Sequence, residues 1–224
     1  MEGIKFNNLH TYLDYGLVLK SKEISTPLPK SQIVEIPGAD GQIDLTEYLG
    51  EVKYSNRTLG FEFEIVKRQK DFIPLFSSLQ NDIHGQRVKV ILDIDRDFYY
   101  TGRATVDPWK SDKKIGKVYI EVDCEPYKYK INETVSSIVV SSKGKETINL
   151  KNLKKPVTPK IEVSGVTKIK YNYDATINAF EAEQTVSEGV WTIDNLLLTK
   201  GDNYIGVEAA AGTTVTFTYQ EGGL

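Results

Sequence analysis

The sequence predicts a mainly β protein in two parts. The first is a β-sandwich-like domain over residues 1–128 with one α-helix and a long hairpin, and the second a β-sandwich over residues 129–224. Three observations carry this. The stretch Arg57 to Val66 alternates strictly, with Phe61, Phe63 and Ile65 on one face and Glu62 and Glu64 on the other. Phe72, Leu75, Phe76 and Leu79 recur at the spacing of one helical stripe, the only substantial helix signal in the chain. From Ile131 onward, short segments rich in Val and Thr recur between Gly, Lys and Pro turns, spaced as in a sandwich.

Taken in order, Leu17, Val18 and Leu19 open as a strand that Pro27 and Pro29 interrupt. Residues 31–36 are extended up to a turn in which Pro37 fixes φ, Gly38 permits positive φ and Ala39-Asp40-Gly41 reverses the chain, which resumes at Ile43 and runs to Leu49. Asp71 is placed to cap the helix, and Pro74 is tolerated because it falls in the first turn. The helix ends over residues 81–85, where Gly85 suits a left-handed conformation. Residues 88–94 and 98–106 form a hairpin with Asp95-Arg96-Asp97 as its tip, and residues 110–116 make a polar turn into the strand 117–125. Pro126 closes the block. The second part offers strands at 136–142, 146–150, 159–164, 167–173, 189–194, 196–198, 203–207 and 213–219, with Trp191 expected in its core.

Composition narrows the function. The chain has 224 residues, 40% hydrophobic and 26% charged, and no apolar run approaches the length of a membrane span. The first residues have neither a basic n-region nor an apolar h-region, so synthesis and assembly are expected in the cytosol. Cys124 is the single cysteine, which excludes an intrachain disulfide and a cysteine-based zinc site. Acids and bases cancel over residues 126–224, so residues 1–125 carry the whole net charge of −3. Seven lysines between positions 143 and 168 have no aromatics among them, which reads as a solvated face and not as a nucleic-acid groove.

Candidate chemistry fails at each place where the sequence offers it. Glu62 and Glu64, two apart on a strand, sit ~7 Å from each other as in an inverting glycosidase, but nothing separates their pKa values. Asp93, Asp95 and Asp97 imitate a calcium loop, yet Phe98 stands where Gly is needed and Ala104 where the bidentate Glu is needed. Cys124 shares a face with Val118, Ile120 and Val122, as a small core hydrophobe does, and neither His10 nor His84 is a recognisable base for it. No catalytic, cofactor-binding or metal-ligating residue is assigned.

Five features fall in a fixed order: the Pro37-Gly38/Asp40-Gly41 turn feeding Ile43-Asp44-Leu45, the alternating Arg57-Thr58-Leu59-Gly60-Phe61-Glu62-Phe63, the helix closing on Ile83-His84-Gly85, Tyr99-Tyr100-Thr101-Gly102-Arg103, and Cys124-Glu125-Pro126-Tyr127-Lys128. That order, over residues 3–224, resembles the distal tail proteins (Dit) of long, non-contractile-tailed bacteriophages and their prophages. Thr199-Lys200-Gly201-Asp202-Asn203-Tyr204-Ile205 and the closing Glu221-Gly222-Gly223-Leu224 look like the last strands of that family's galectin-like, jelly-roll sandwich.

The resemblance implies a structural protein of the virion tail, assembled in the bacterial cytoplasm. It would be a homohexameric ring that acts as baseplate hub, joining the major tail tube protein to the tail-tip protein and to any receptor-binding protein. The N-terminal domains would enclose a channel that DNA crosses only as cargo, with the sandwiches outside. Inserted carbohydrate-binding modules, present in some relatives, have no room in 224 residues. The candidate subunit interface is the hairpin of Ile36, Pro37, Gly38, Ala39, Asp40, Gly41, Ile43, Asp44 and Leu45, with the strand Arg57 to Val66, because these combine apolar and polar faces at a tight reversal. The competing expectations are a lectin-like carbohydrate-binding sandwich used in host recognition and a cell-wall hydrolase, the latter without an acid/base pair, nucleophile triad or zinc site to support it.

Overall fold

Inward-facing side chains at every second position set the architecture of both halves. The computed structural model describes residues 2–38, 40–48, 50–66, 71–108, 110–111, 115–172 and 180–224. Its contacts divide the chain into a unit built on residues 1–128 and one on 129–223.

The first unit contains β1 (Ile4–Phe6), β2 (Leu9–His10), β3 (Val18–Ile24), β4 (Ile33–Glu35), β5 (Gln42–Asp44), β6 (Arg57–Val66), α1 (Phe72–Ile83), β7 (Arg87–Leu92), β8 (Asp95–Val106), β9 (Lys110–Ser111) and β10 (Ile115–Cys124). One antiparallel sheet runs β2-β1-β7-β8-β10-β6-β3, with β9 beside β10. The long pairing of β10 with β6 sets Val118 opposite Phe63, Ile120 opposite Phe61 and Val122 opposite Leu59, and all six side chains are buried. Phe6 on β1 meets Phe61 on β6 edge to face at 6.0 Å, although three strands separate β1 from β6 in the sheet. The sheet therefore rolls over its own inner face. Phe72, Leu79 and Ile83 of α1 fill that core.

Three local expectations are corrected here. Asp71 makes no side-chain cap bond, because its backbone is already helical (φ −91°, ψ −9°). The β7–β8 hairpin turns at Asp93-Ile94 and not at 95–97, since Leu92 pairs directly with Asp95. The Asp93 carboxylate is held at that turn by the Gly3 amide at 2.9 Å and by His10 at 3.1 Å, while Asp95 pairs with Lys128 at 2.7 Å. Lys110 and Ser111 belong to a strand against Gly116 and Lys117; the rest of that polar turn, 112–114, lies outside the described residues. Gly85 has φ 72°, the left-handed conformation its place in the sequence predicts.

The second unit adds β11 (Lys128–Lys130), which crosses the boundary, then β12 (Thr134–Val139), β13 (Lys145–Asn152), β14 (Lys160–Val163), β15 (Thr167–Tyr171), β16 (Ala182–Val186), β17 (Gly189–Thr192), β18 (Gly201–Ala209), β19 (Thr214–Tyr219) and β20 (Gly222–Gly223). Two four-stranded antiparallel sheets, β12-β19-β14-β17 and β13-β18-β15-β16, enclose Leu150, Ile161, Ile169, Val207, Val215 and Phe217. β20 returns beside β11. Residues 196–198 are not a strand. Leu196 and Leu198 are buried, but their backbone is taken up by a turn to Ile193, one bridge to Val157 and the Asn152 amide, which donates to the Leu198 carbonyl at 2.9 Å. Trp191 is not a core residue either: it sits on the edge strand β17, 37% exposed, and its indole N–H donates to the Ser187 carbonyl at 2.8 Å. Tyr173, expected to end a strand, lies outside the described residues.

The outer face of β13-β18-β15-β16 carries a chain of ion pairs, Lys145 to Glu208 (3.4 Å), Glu208 to Lys170 (2.7 Å), Lys170 to Glu183 (4.0 Å) and Glu183 to Lys168 (3.0 Å). The Lys170 hydrogen bond, with Lys145 beside it, holds the Glu208 carboxyl below its ordinary value. A lowered carboxyl contributes stability that is present above its unfolded pKa and lost as pH falls through the folded one. The stability difference between wild type and Glu208→Gln in urea titrations is thus expected at pH 7 and absent once pH has fallen below the carboxylate range; an unchanged difference at acid pH contradicts it. In the first unit, Phe61→Ala should cost about 3–5 kcal/mol in the same titration. A loss under about 1 kcal/mol would mean that the Phe61 contacts do not hold the rolled sheet together.

Candidate assembly surface

The segment between β3 and β6 leaves the sheet as a two-stranded arm. Ile24 pairs with Leu59 at its root, and beyond it Ser25 and Thr58 exchange bonds: the Thr58 amide donates to Ser25 Oγ at 2.7 Å and the Ser25 amide to the Thr58 carbonyl at 3.0 Å. The Ser55 amide donates to the Leu28 carbonyl at 2.9 Å and the Lys30 amide to the Lys53 carbonyl at 2.8 Å. Pro27 and Pro29 supply no amide, so the chain cannot continue here as a fully paired strand. Farther out, β4 pairs with β5 through Ile33 opposite Asp44, Val34 opposite Ile43 and Glu35 opposite Gln42. The loop 36–41 closes the arm, with Gly38 at φ 84° and Gly41 at φ 82°.

Short polar bonds fix the arm's shape. The Thr46 amide donates to Asp44 Oδ1 at 2.9 Å, the Gln32 amide to Thr46 Oγ1 at 3.0 Å and Gln42 Nε2 to Glu35 Oε1 at 2.8 Å. The Thr46 hydroxyl and amide hold the Asp44 carboxyl below its ordinary value. Ile36, Pro37, Gly38, Asp40 and Gly41 thus lie at the tip and Ile43, Asp44 and Leu45 along the returning strand; Ala39 and Leu49 lie outside the described residues.

Hydrophobic side chains on this arm stay in solvent. Seven of the twenty exposed large hydrophobics among the described residues fall between positions 24 and 48, and Ile33, Val34, Ile36 and Ile43 are each 45–53% exposed. A ribbon of two strands is only marginally stable in water without a further layer. Ile33, Val34, Leu28 and Tyr48 belong to this surface as well. Their signal in the sequence is the run Ile33-Val34-Glu35-Ile36, apolar at both parities, which a strand with one buried face does not need. Between residues 31 and 52 the arm has five acids, Glu35, Asp40, Asp44, Glu47 and Glu51, and no lysine or arginine. None of the five takes part in an ion pair among the described residues.

Groups elsewhere that could carry chemistry are engaged in the fold. Glu64 lies 3.2 Å from both Lys117 and Lys20, which lowers its carboxyl from the usual value, the opposite of what a general acid needs. Cys124 is fully buried, and burial above all pushes its thiol up to about 12. His10 contacts Asp93, and His84 Nδ1 accepts the Val106 amide at 3.0 Å. Among the described residues no three His, Cys, Asp or Glu side chains are placed to hold a metal ion.

No known family model matches the chain. No curated protein matches it either. Among solved structures, the chain is similar to the Dit protein (gp 19.1) of SPP1, described as a paradigm of the hub adsorption apparatus in phages that infect Gram-positive bacteria. The two share a fold with a TM-score of 0.70 over 98% of this chain and 99% of that one, at 15% sequence identity.

Proposed function

We propose that this chain is a structural component of a phage or prophage tail, a distal tail protein whose copies close into a ring-shaped hub between the tail tube and the tip apparatus. The observation that carries the reading is the arm: exposed apolar side chains on a two-stranded ribbon, in a fold shared along its length with a tail hub protein. A ring needs a heterologous contact that closes, and an arm reaching from one copy to a different surface of the next is such a contact.

Residues 1–128 then build a ring of six copies, with Ile36, Pro37, Gly38, Ala39, Asp40, Gly41, Ile43, Asp44 and Leu45 in the subunit interface, and the galectin-like sandwich of residues 129–224 stands outside it. The tube protein, the tail-tip protein and a receptor-binding protein are the other partners, and the product is a virion tail assembled in the host cytoplasm. The negative charge of residues 1–125 suits a lumen along which DNA slides without sticking. An assembled ring with a lysine-lined lumen would contradict that last point.

A second reading, carbohydrate binding by the sandwich, has the exposed indole of Trp191 in its favour. Light scattering and negative-stain microscopy of the purified protein separate the two. The hub reading predicts a ring of about six times the 25.2 kDa chain. A stable monomer at high concentration that captures a glycan on an array would overturn it in favour of the lectin.

A further inference from the structure

Arg57 opens β6 at the root of the arm, and its side chain lies on the core side of the strand with those of Leu59, Phe61 and Phe63. It is 6% exposed. The buried Cys124 faces it from β10, and the Tyr100 ring centroid lies 5.5 Å from the guanidinium carbon. An aromatic ring attracts the cation through its π face, which leaves five N–H donors in need of oxygen acceptors. Among the described residues they have none, since the Arg57 side chain takes part in no hydrogen bond and no ion pair. The other described arginines differ: Arg87 pairs with Glu125, Arg96 lies 3.2 Å from Asp93, and Arg103 donates to the Gly85 carbonyl at 2.6 Å. The two acids that flank Cys124 are engaged elsewhere. Asp123, outward on β10 and opposite Arg103, accepts from Asn56 at 3.1 Å, and Glu125 is held by Arg87.

We infer that Arg57 is a binding site for an oxyanion, a carboxylate or phosphate group that is free in solution or carried on another protein chain. A guanidinium is not deprotonated in proteins, so it cannot escape burial by losing its proton as a lysine can. A buried charge without a partner is strongly destabilising, and a carboxylate or phosphate removes that penalty through two parallel charge-assisted bonds. One edge of the group is open to it. Nε is sealed from solvent with no acceptor, whereas the two Nη atoms, equally unpartnered, are not sealed. An anion arriving from solvent therefore meets the Nη pair, a fork already held in place against Tyr100. The freedom of this side chain was lost when the sheet folded, so little more is lost on binding. The next residue, Thr58, makes the bonds to Ser25 at the arm's root, so an occupied Arg57 adds a charge-assisted contact where the arm joins the sheet. The inference does not depend on the proposed ring.

Thermal unfolding of the full-length protein at neutral pH tests this, in sodium formate and in sodium phosphate, each against sodium chloride of equal ionic strength, for wild type, Arg57→Leu and Arg57→Lys. In wild type the midpoint should rise with formate or phosphate, level off, and stand about 2–5 °C above its chloride value. Arg57→Leu should show no such rise, and Arg57→Lys, whose ammonium offers no planar fork, less than about half of it. A rise in formate alone assigns the site to carboxylates and a rise in phosphate alone to phosphate groups. A blocked aspartyl peptide that acts at lower concentration than formate places the carboxylate on another chain, and one that acts no better leaves the free anion as the ligand. If wild type unfolds alike in all three salts, or if Arg57→Leu rises as much as wild type, water alone completes Arg57 and the inference falls. Should circular dichroism show that Arg57→Leu does not fold, an undiminished rise in Arg57→Lys overturns the site in its place. None of these outcomes bears on the hub reading, which stands or falls on assembly.

Discussion

A two-stranded ribbon cannot bury both of its faces within its own chain. This constraint separates the arm from everything else in the molecule. In the rolled sheet and in the sandwich each inward side chain meets a second layer, so Phe61, Phe63 and Phe217 are fully buried. Val34 and Ile43, though equally apolar, pair across the ribbon and stay 45% and 46% exposed. Their burial requires another surface, and the free energy of that burial, not local pairing alone, is what would order the arm.

The remainder of the first unit gives the arm a fixed root. Ile24 and Leu59 carry the sheet register to the point of departure. Just beyond, Tyr54 packs edge-on against Tyr127 at 6.1 Å, and the buried Arg57 lies 5.5 Å from the Tyr100 ring centroid. A rigid base reduces the orientations an arm can sample, so less freedom is lost when it docks. The second unit answers its own needs differently: its core is mostly aliphatic, with Tyr171, Phe217 and Tyr219 buried in it, and Lys145, Glu208, Lys170, Glu183 and Lys168 match one another on the outer face of one sheet.

Most of the fold was legible because alternation in β6 and β10 and the helical stripe of α1 are strong local signals. What was missed has physical causes. β16 escaped notice because Ala-Glu-Gln-Thr-Val has little apolar alternation and is held by pairing with β15. The leucines at 196–198 suggest a strand by composition, yet a turn to Ile193, one bridge to Val157 and the Asn152 side chain take up that backbone in place of a strand neighbour. Trp191 was expected inside because large aromatics usually are, and an edge strand leaves it half in water. At the candidate surface, the turn from Pro37 to Gly41 could be read from residue types alone. The exposure of Ile33, Val34 and Ile43 could not, since it depends on the arm leaving the sheet at Ile24 and Leu59.

Hydrogen exchange of the arm's backbone amides tests the central claim most directly. If a second copy covers the arm, amides of β4, β5 and Leu45 are protected at concentrations where copies assemble and lose that protection on dilution, while those of β6 and β10 do not change. Protection of the arm that is the same in dilute monomer and in concentrated protein would contradict the account.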